Sequence, residues 1–227
     1  MSLAANLQEV ETRIRAACER AGRDRGQVRL VAVSKTHPVA AIRELYELGI
    51  RDFGESRVQE LLEKRPELPR DIRWHFIGPV QSNKAKYLAP FVHLVHAVES
   101  TSAIEELERQ AAKRETEFGL LLQVNISQEW QKHGVGEEEL LLMVDKLIDG
   151  YHLKLRGLMG MASLEEDPEN TREQFRRLKL LHTKIRTTFP HIDSFTELSM
   201  GMTNDFEVAI EEGSTIVRIG SAIFGAR

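Results

Sequence analysis

Val28-Arg29-Leu30-Val31-Ala32-Val33-Ser34-Lys35-Thr36-His37-Pro38 opens as a run of branched apolar residues and stops on an amine. Residues 28–35 read as a strand buried on both faces, which shows a continuous apolar run in place of alternation. Thr36-His37-Pro38 then reads as a helix start with proline at the first helical position. Strand, tight turn and helix make the repeating unit of a parallel sheet, in which ligands meet the carboxyl ends of the strands. Lys35 stands at such an end. A lysine there either snorkels into water on its methylene stem or is paired and put to chemical use, because a lone buried ammonium is costly.

The same unit recurs along the chain. A leading helix carries Leu7, Val10, Ile14, Ala17 and Ala21 at helical spacing and closes at Gly22. Strands are expected at 28–35, 52–55, 74–78, 94–98, 120–125, 153–159, 195–200 and 215–220. Between them lie helical patterns: 38–48 up to Gly49; one with Val58, Leu61 and Leu62 ending before Pro66; and 82–88. Further on come a helix whose capping box is Ser102 with Glu105, one with Leu140, Met143, Val144, Leu147 and Ile148, and a long one capped by Asp167-Pro168 and carrying Phe175, Leu178 and Ile185. A last pattern, 203–212, stops at Gly213. Eight βα units in 227 residues suit a closed (β/α)8 TIM-type barrel, an α/β fold in one domain spanning 1–227. No Pro/Ser-rich hinge, low-complexity tract or longer repeat interrupts the rhythm.

The 31 basic and 35 acidic side chains leave a net charge of −4, so the chain has no general attraction for nucleic acid or anionic lipid. The single cysteine, Cys18, forms no internal disulfide, falls on the apolar side of the first helix and fits a reducing compartment. No apolar run approaches a membrane span, and Met1-Ser2-Leu3-Ala4 starts an amphipathic helix in place of a signal peptide. A cytoplasmic monomer is the expectation.

The last third carries the second chemical signal. Leu198-Ser199-Met200-Gly201-Met202-Thr203-Asn204 and Ile216-Val217-Arg218-Ile219-Gly220-Ser221 each take a strand into a short helix. The loops after strands seven and eight of a barrel often hold a phosphate, because free backbone N–H groups and the helix dipole favour an anion. Gly201 and Gly220 let the backbone approach closely, and Ser199 and Ser221 add hydroxyls. The same residues also make ordinary turn glycines and capping serines. Arg218 sits inside an apolar strand and needs a partner, either a core carboxylate such as Glu55 or a ligand heteroatom beside the phosphate. An amine at one strand end, an anion cradle opposite and an arginine between them describe a pyridoxal 5'-phosphate (PLP) site. An arginine facing the ring nitrogen keeps it unprotonated, which weakens the ring as an electron sink and argues against transaminase chemistry.

Val31-Ala32-Val33-Ser34-Lys35-Thr36, Phe53-Gly54-Glu55, Trp74-His75-Phe76-Ile77-Gly78-Pro79, Gln81-Ser82-Asn83-Lys84 and the whole run 198–227 together resemble the pyridoxal phosphate homeostasis proteins. The resemblance covers nearly the full chain. It implies an alanine racemase-like barrel of PLP fold type III, standing without the second β domain of alanine racemase. It implies that Lys35 carries the internal aldimine, that Arg218 faces the pyridine nitrogen, and that Ser199, Gly201, Gly220 and Ser221 hold the phosphate. It also implies a protein that binds, buffers and delivers PLP to PLP-requiring apoenzymes with little or no catalysis. The rival is a true enzyme: a single-domain PLP-dependent amino-acid racemase, or a Schiff-base lyase or aldolase using Lys35. The chain departs from the family pattern at Ser56-Arg57, where Asn-Tyr is usual, at Val80 for leucine, and at Gly160-Met161.

The remaining features are blander. His93 and His96 are three apart with no second cluster at ligand spacing, so no metal is expected. His75 is either a cofactor contact or a satisfied barrel histidine. Gly78-Pro79-Val80-Gln81-Ser82-Asn83-Lys84 lacks the ending of a nucleotide loop, and Lys84 and Lys86 read as a solvated helix face. Glu137-Glu138-Glu139 suits a helix start, and Glu211-Glu212 read as surface charges. The turn Lys132-His133-Gly134 takes no role from its spacing.

Overall fold

The computed structural model describes residues 2–88, 90–127, 133–148 and 152–225. Eight parallel strands close into a barrel in sequence order. They are β1 (Arg29–Val33), β2 (Asp52–Glu55), β3 (Arg73–Pro79), β4 (Val92–Val98), β5 (Phe118–Val124), β6 (Leu153–Gly160), β7 (Glu197–Ser199) and β8 (Ile216–Ile219). The ring shuts where Leu30 pairs with Val217 and Val31 with Arg218. A leading helix, α1 (Leu3–Arg20), precedes the first strand. The crossovers are α2 (Val39–Glu47), α3 (Val58–Lys64), α4 (Ala85–Leu88), α5 (Thr101–Lys113), α6 (Glu137–Ile148), α7 (Arg172–Thr188) and α8 (Phe206–Glu211). A single turn, α9 (Ser221–Phe224), follows β8.

The helices form where the periodicity places them, with two local differences. Ser100, in place of Ser102, caps α5, its hydroxyl accepting from Ala103 N–H at 3.2 Å. Ser100 has the extended backbone that an N-cap needs, whereas Ser102 already lies inside the helix. Asp167 caps a 3-10 turn over Pro168–Thr171 that leads into α7. Cys18 is buried on the inner side of α1.

Strand alternation sorts the core into two bodies. Phe53, Leu120, Leu158, Val217 and Ile219 face outward and pack with Ile14, Ile42, Leu107 and Leu178 of the helices. Val31, Leu94, Ala97, Leu121, Met159 and Ile216 form a separate small cluster inside the barrel. That cluster does not fill the lumen alone; polar side chains of β3, β4, β7 and β8 share it.

Glu211 and Glu212 are not isolated surface charges. Arg172 of α7 donates to Glu211 at 2.6 Å and Glu212 at 2.9 Å, and Arg20 of α1 reaches Glu211 at 2.6 Å and Glu207 at 3.0 Å. This network ties α8, and the loop that leads into it, to two long helices.

Between β5 and β6 the register shifts, so that Leu120 pairs with Leu155 but Leu121 with Gly157, and Arg156 becomes the extra residue of a bulge. Gly157 has φ 153°, and a Cβ there would lie 1.8 Å from the Glu197 carbonyl oxygen on β7. Gly157→Ala is therefore expected to lower stability by about 2–4 kcal/mol through backbone strain and the clash, read as a fall in the urea midpoint.

Candidate functional site

A cavity of about 550 Å³ opens at the carboxyl ends of the strands. Lys35, His37, Ile77 and Arg218 line it with Met161–Leu164, Met202, Thr203, Asn204, Asp205, Gly220 and Ser221. Four of the six residues singled out in the sequence thus touch the cavity or its rim: Lys35, Arg218, Gly220 and Ser221.

Lys35 follows β1 on a loop that is held unusually firmly. Thr36 has φ 68°, a conformation that a β-branched residue adopts only when its surroundings impose it. Those surroundings are built on Lys64, an almost fully buried residue of α3. Its ammonium donates to the Ser34 carbonyl at 2.8 Å, to Glu55 Oε1 at 2.8 Å and to Glu60 Oε1 at 2.6 Å. Ser34 Oγ donates to Glu55 Oε1 at 2.7 Å, and Thr36 N–H donates to Glu60 Oε1. Both neighbours of Lys35 are thereby tied to one charge cluster. Burial pushes the Glu55 carboxyl up despite these donors, and the pairing holds Glu60 below its ordinary range. Ahead of the loop, His37 stacks on Phe224 of α9 with ring centroids 4.4 Å apart.

Arg218 is buried in the lumen, and burial lowers its pKa to about 10, so it stays protonated at neutral pH. Its partner is not Glu55. Its NH1 donates to the Ser199 carbonyl at 2.8 Å and to Ser199 Oγ at 2.5 Å, and its NH2 donates to the Gly160 carbonyl at 3.2 Å. A guanidinium has five N–H groups, so two remain without an acceptor among the described residues. Asp205, at the cavity wall, supplies the nearby negative charge; burial raises its carboxyl, which accepts from Met202 N–H at 2.6 Å.

Ser199 and Gly201, expected at a phosphate, do not line the cavity. Ser199 is fully buried, and its hydroxyl is held between Arg218 NH1 and His96 Nδ1, the latter at 2.8 Å. It ends β7 facing inward, as the outward packing of Leu198 requires. Gly201 has φ 92°, accepts from Arg218 N–H at 3.0 Å and packs where a Cβ would come within 2.6 Å of the Ala209 side chain. It lets the loop pass close over α8. The residues that reach the cavity from these two loops are Met202, Thr203, Asn204, Asp205, Gly220 and Ser221. The N–H groups of Thr203, Asn204 and Ser221 meet no acceptor among the described residues. Ser221 Oγ and Thr203 Oγ1 lie 3.2 Å apart and bind the two loops to each other.

His75 does not reach the cavity. Its Nδ1 lies 2.9 Å from His96 Nε2, and its Nε2 lies 2.9 Å from Asp52 Oδ1. Asp52 in turn accepts from Arg73 Nε at 2.9 Å, at the opposite end of the barrel. Burial alone would raise Asp52, but the bonds from Arg73 and His75 outweigh it and hold the carboxyl far below its usual range. Burial keeps both histidines below the ordinary imidazole range, and therefore neutral. His93 lies at that far mouth, where burial lowers it to about 4. Among the described residues no group of three or more His, Cys, Asp or Glu is arranged to hold a metal ion. Ser56 does not line the cavity, and Arg57 is exposed ahead of α3. His133 and Gly134 bind Glu99 through Nδ1 at 3.0 Å and N–H at 2.9 Å; Lys132 lies outside the described residues, as do residues 226–227.

Comparison with known proteins bears on the family and the fold. The family model for the alanine racemase N-terminal domain matches residues 5–227. The pyridoxal phosphate homeostasis protein of Aquifex aeolicus is 41% identical over 232 residues, spanning 100% of this chain and 99% of its own. That of Escherichia coli K12 is 38% identical, spanning 99% and 97%. The chain belongs to the pyridoxal phosphate homeostasis protein family. Among solved structures, PipY of Synechococcus elongatus with PLP bound is 37% identical, with a TM-score of 0.81 over 88% of this chain and 93% of that one. An alanine racemase from Bartonella henselae shares the fold at 14% identity, with a TM-score of 0.71 over 100% of this chain and 60% of that one. No described helix is long and apolar enough to cross a membrane.

The Lys64 cluster yields a direct test. Lys64→Met leaves the buried Glu55 carboxyl without its counter-ion, and is expected to cost about 3–5 kcal/mol. Adding Glu55→Gln removes the stranded carboxyl and should recover part of the loss, both read by urea denaturation.

Proposed function

We propose that this protein binds, buffers and hands on PLP, capturing it covalently on Lys35 and turning over little or nothing. The observation that carries this reading is one cavity lined by Lys35, an under-used Arg218 and three loop residues whose N–H groups meet no acceptor among the described residues. Its volume of about 550 Å³ falls within the usual range for small-ligand sites. The three groups match the three parts of the ligand. Lys35 faces an aldehyde, Arg218 donates to a ring nitrogen, and Thr203, Asn204, Gly220 and Ser221 take the phosphate. PLP brings a carbonyl that an amine captures reversibly and, with a protonated ring, an electron sink. Arg218 cannot accept a proton from the ring nitrogen, so it holds that nitrogen as an acceptor and keeps the sink weak.

The described residues at the cavity also favour a carrier. Its titratable side chains are Lys35, His37, Asp205 and Arg218, with no tyrosine to act as the second base of a racemase. His37 is engaged in its stack with Phe224. Delivery to PLP-requiring apoenzymes, a cytoplasmic location and a monomeric state complete the proposal.

Titrating PLP into cofactor-free protein should shift the absorbance maximum away from that of free PLP as its aldehyde becomes an imine with a lysine. Borohydride should then fix a pyridoxyl group on Lys35. Lys35→Ala should lose the shift and the label while keeping measurable affinity through the anion contacts. Pyridoxal should bind at least about tenfold more weakly than PLP, since charge-assisted bonds to the phosphate are lost. Equal affinity for the two, or label on another lysine, would sink the assignment.

A further inference from the structure

The lumen holds an unbroken line of hydrogen bonds between the two mouths of the barrel. It runs from Arg73 to Asp52, His75, His96, Ser199 and Arg218, with steps of 2.9, 2.9, 2.9, 2.8 and 2.5 Å. His96 on β4 and Ser199 on β7 are not on neighbouring strands, so their bond crosses the lumen. The two ends fix the direction of every donor between them. Asp52 is a carboxylate that already accepts from Arg73, so it accepts from His75 as well, and the His75 proton is on Nε2. A neutral His75 then accepts at Nδ1, so His96 donates from its own Nε2 and accepts at Nδ1. The Ser199 hydroxyl therefore donates to His96 and turns a lone pair to Arg218, which can only donate. No other arrangement with two neutral rings satisfies all five contacts.

We propose that His96 and Ser199 are positioning residues for Arg218, and that the Asp52 carboxylate at the far mouth sets their hydrogen-bond polarity. This deepens the PLP reading and rests on it. Arg218 NH1 is fully used by the hydroxyl and carbonyl of Ser199, and that aims the rest of the guanidinium at the cavity. A serine hydroxyl whose proton is committed to His96 keeps a lone pair turned to Arg218. The ring nitrogen of the ligand thus meets a guanidinium of fixed orientation, stiffened by groups that touch neither ligand nor cavity. Such chains polarise cooperatively, so a change at Asp52 is felt at Arg218.

The test has two parts. In cofactor-free wild-type protein with 15N-labelled histidine, NMR should show both His75 and His96 as neutral rings protonated on Nε2. A proton on Nδ1 of His96, or a charged ring at neutral pH, would overturn the relay. In the second part Ser199→Ala and Asp52→Asn are titrated with PLP. Each is expected to bind about five- to tenfold more weakly and to move the absorbance maximum of the bound form, while Lys35 still takes the pyridoxyl label. Folded variants, judged by wild-type circular dichroism, with unchanged band and affinity would overturn the positioning role. Wild-type protein that takes up no PLP would defeat the functional reading and the positioning role together. The ring tautomers would still report the relay's polarity on their own.

Discussion

The Ser199 hydroxyl, shared between His96 and Arg218, is the contact on which the interior of this barrel depends. A closed eight-stranded barrel must fill its lumen with side chains, and apolar packing is the usual solution. Here one part of the lumen is apolar, around Val31, Leu94, Leu121, Met159 and Ile216, and the other part is polar. A guanidinium there is acceptable only if its N–H groups find acceptors, and leaving a buried polar partner unpaired costs about 1–3 kcal/mol each. The Ser199 carbonyl and hydroxyl and the Gly160 carbonyl meet that demand from strands that flank or face β8. Arg218 itself lines the cavity at the carboxyl ends of the strands.

Lys35 depends on a separate constraint. The loop that bears it carries a positive φ at Thr36, which the Lys64–Glu55–Glu60 cluster enforces through the residues on either side. A buried lysine with two carboxylates is seldom a gain over apolar packing, but a cluster whose every member has one geometry defines a loop well. The opposite wall is braced differently, by exposed and half-buried ion pairs between α8 and the helices α1 and α7. Individually these contribute little, and as a network they fix where the chain enters the loop of Thr203 and Asn204.

The barrel was legible because its signal is local and repeated: apolar runs of strand length alternate with helical periodicity, and Lys35 and Arg218 stand out as charges in such runs. The cavity loops were legible at the level of segment but not of residue. Ser199 reads as a loop hydroxyl beside Gly201, yet Leu198 packs outward and so turns Ser199 into the lumen. The phase of Leu198 against Val217 and Ile219 is the signal that would have placed it. Thr203 and Asn204 carry no pattern of their own; they matter because their N–H groups are left over when α8 begins at Phe206. Lys64 was unreadable for a different reason. It looks like an ordinary helix-terminal lysine, and its partners Ser34 and Glu55 are brought to it only by closure of β1 onto β2.

The same arrangement bears on the proposed role of a barrel that matches the alanine racemase N-terminal family model. Catalysis on an amino acid needs bases that change protonation during turnover, whereas the buried groups around Arg218 are held to single states. Asp52 is kept ionised by two donors, His75 and His96 are kept neutral by burial, and Arg218 stays charged with a pKa of about 10. A ligand entering between Lys35 and Arg218 therefore meets fixed charge in place of mobile protons. Its anionic end offsets two cations against which Asp205 supplies the nearby negative charge, so electrostatics favours retention. Under the proposed reading, release comes by attack of water or of a competing amine on the imine carbon, which returns Lys35 as a free amine.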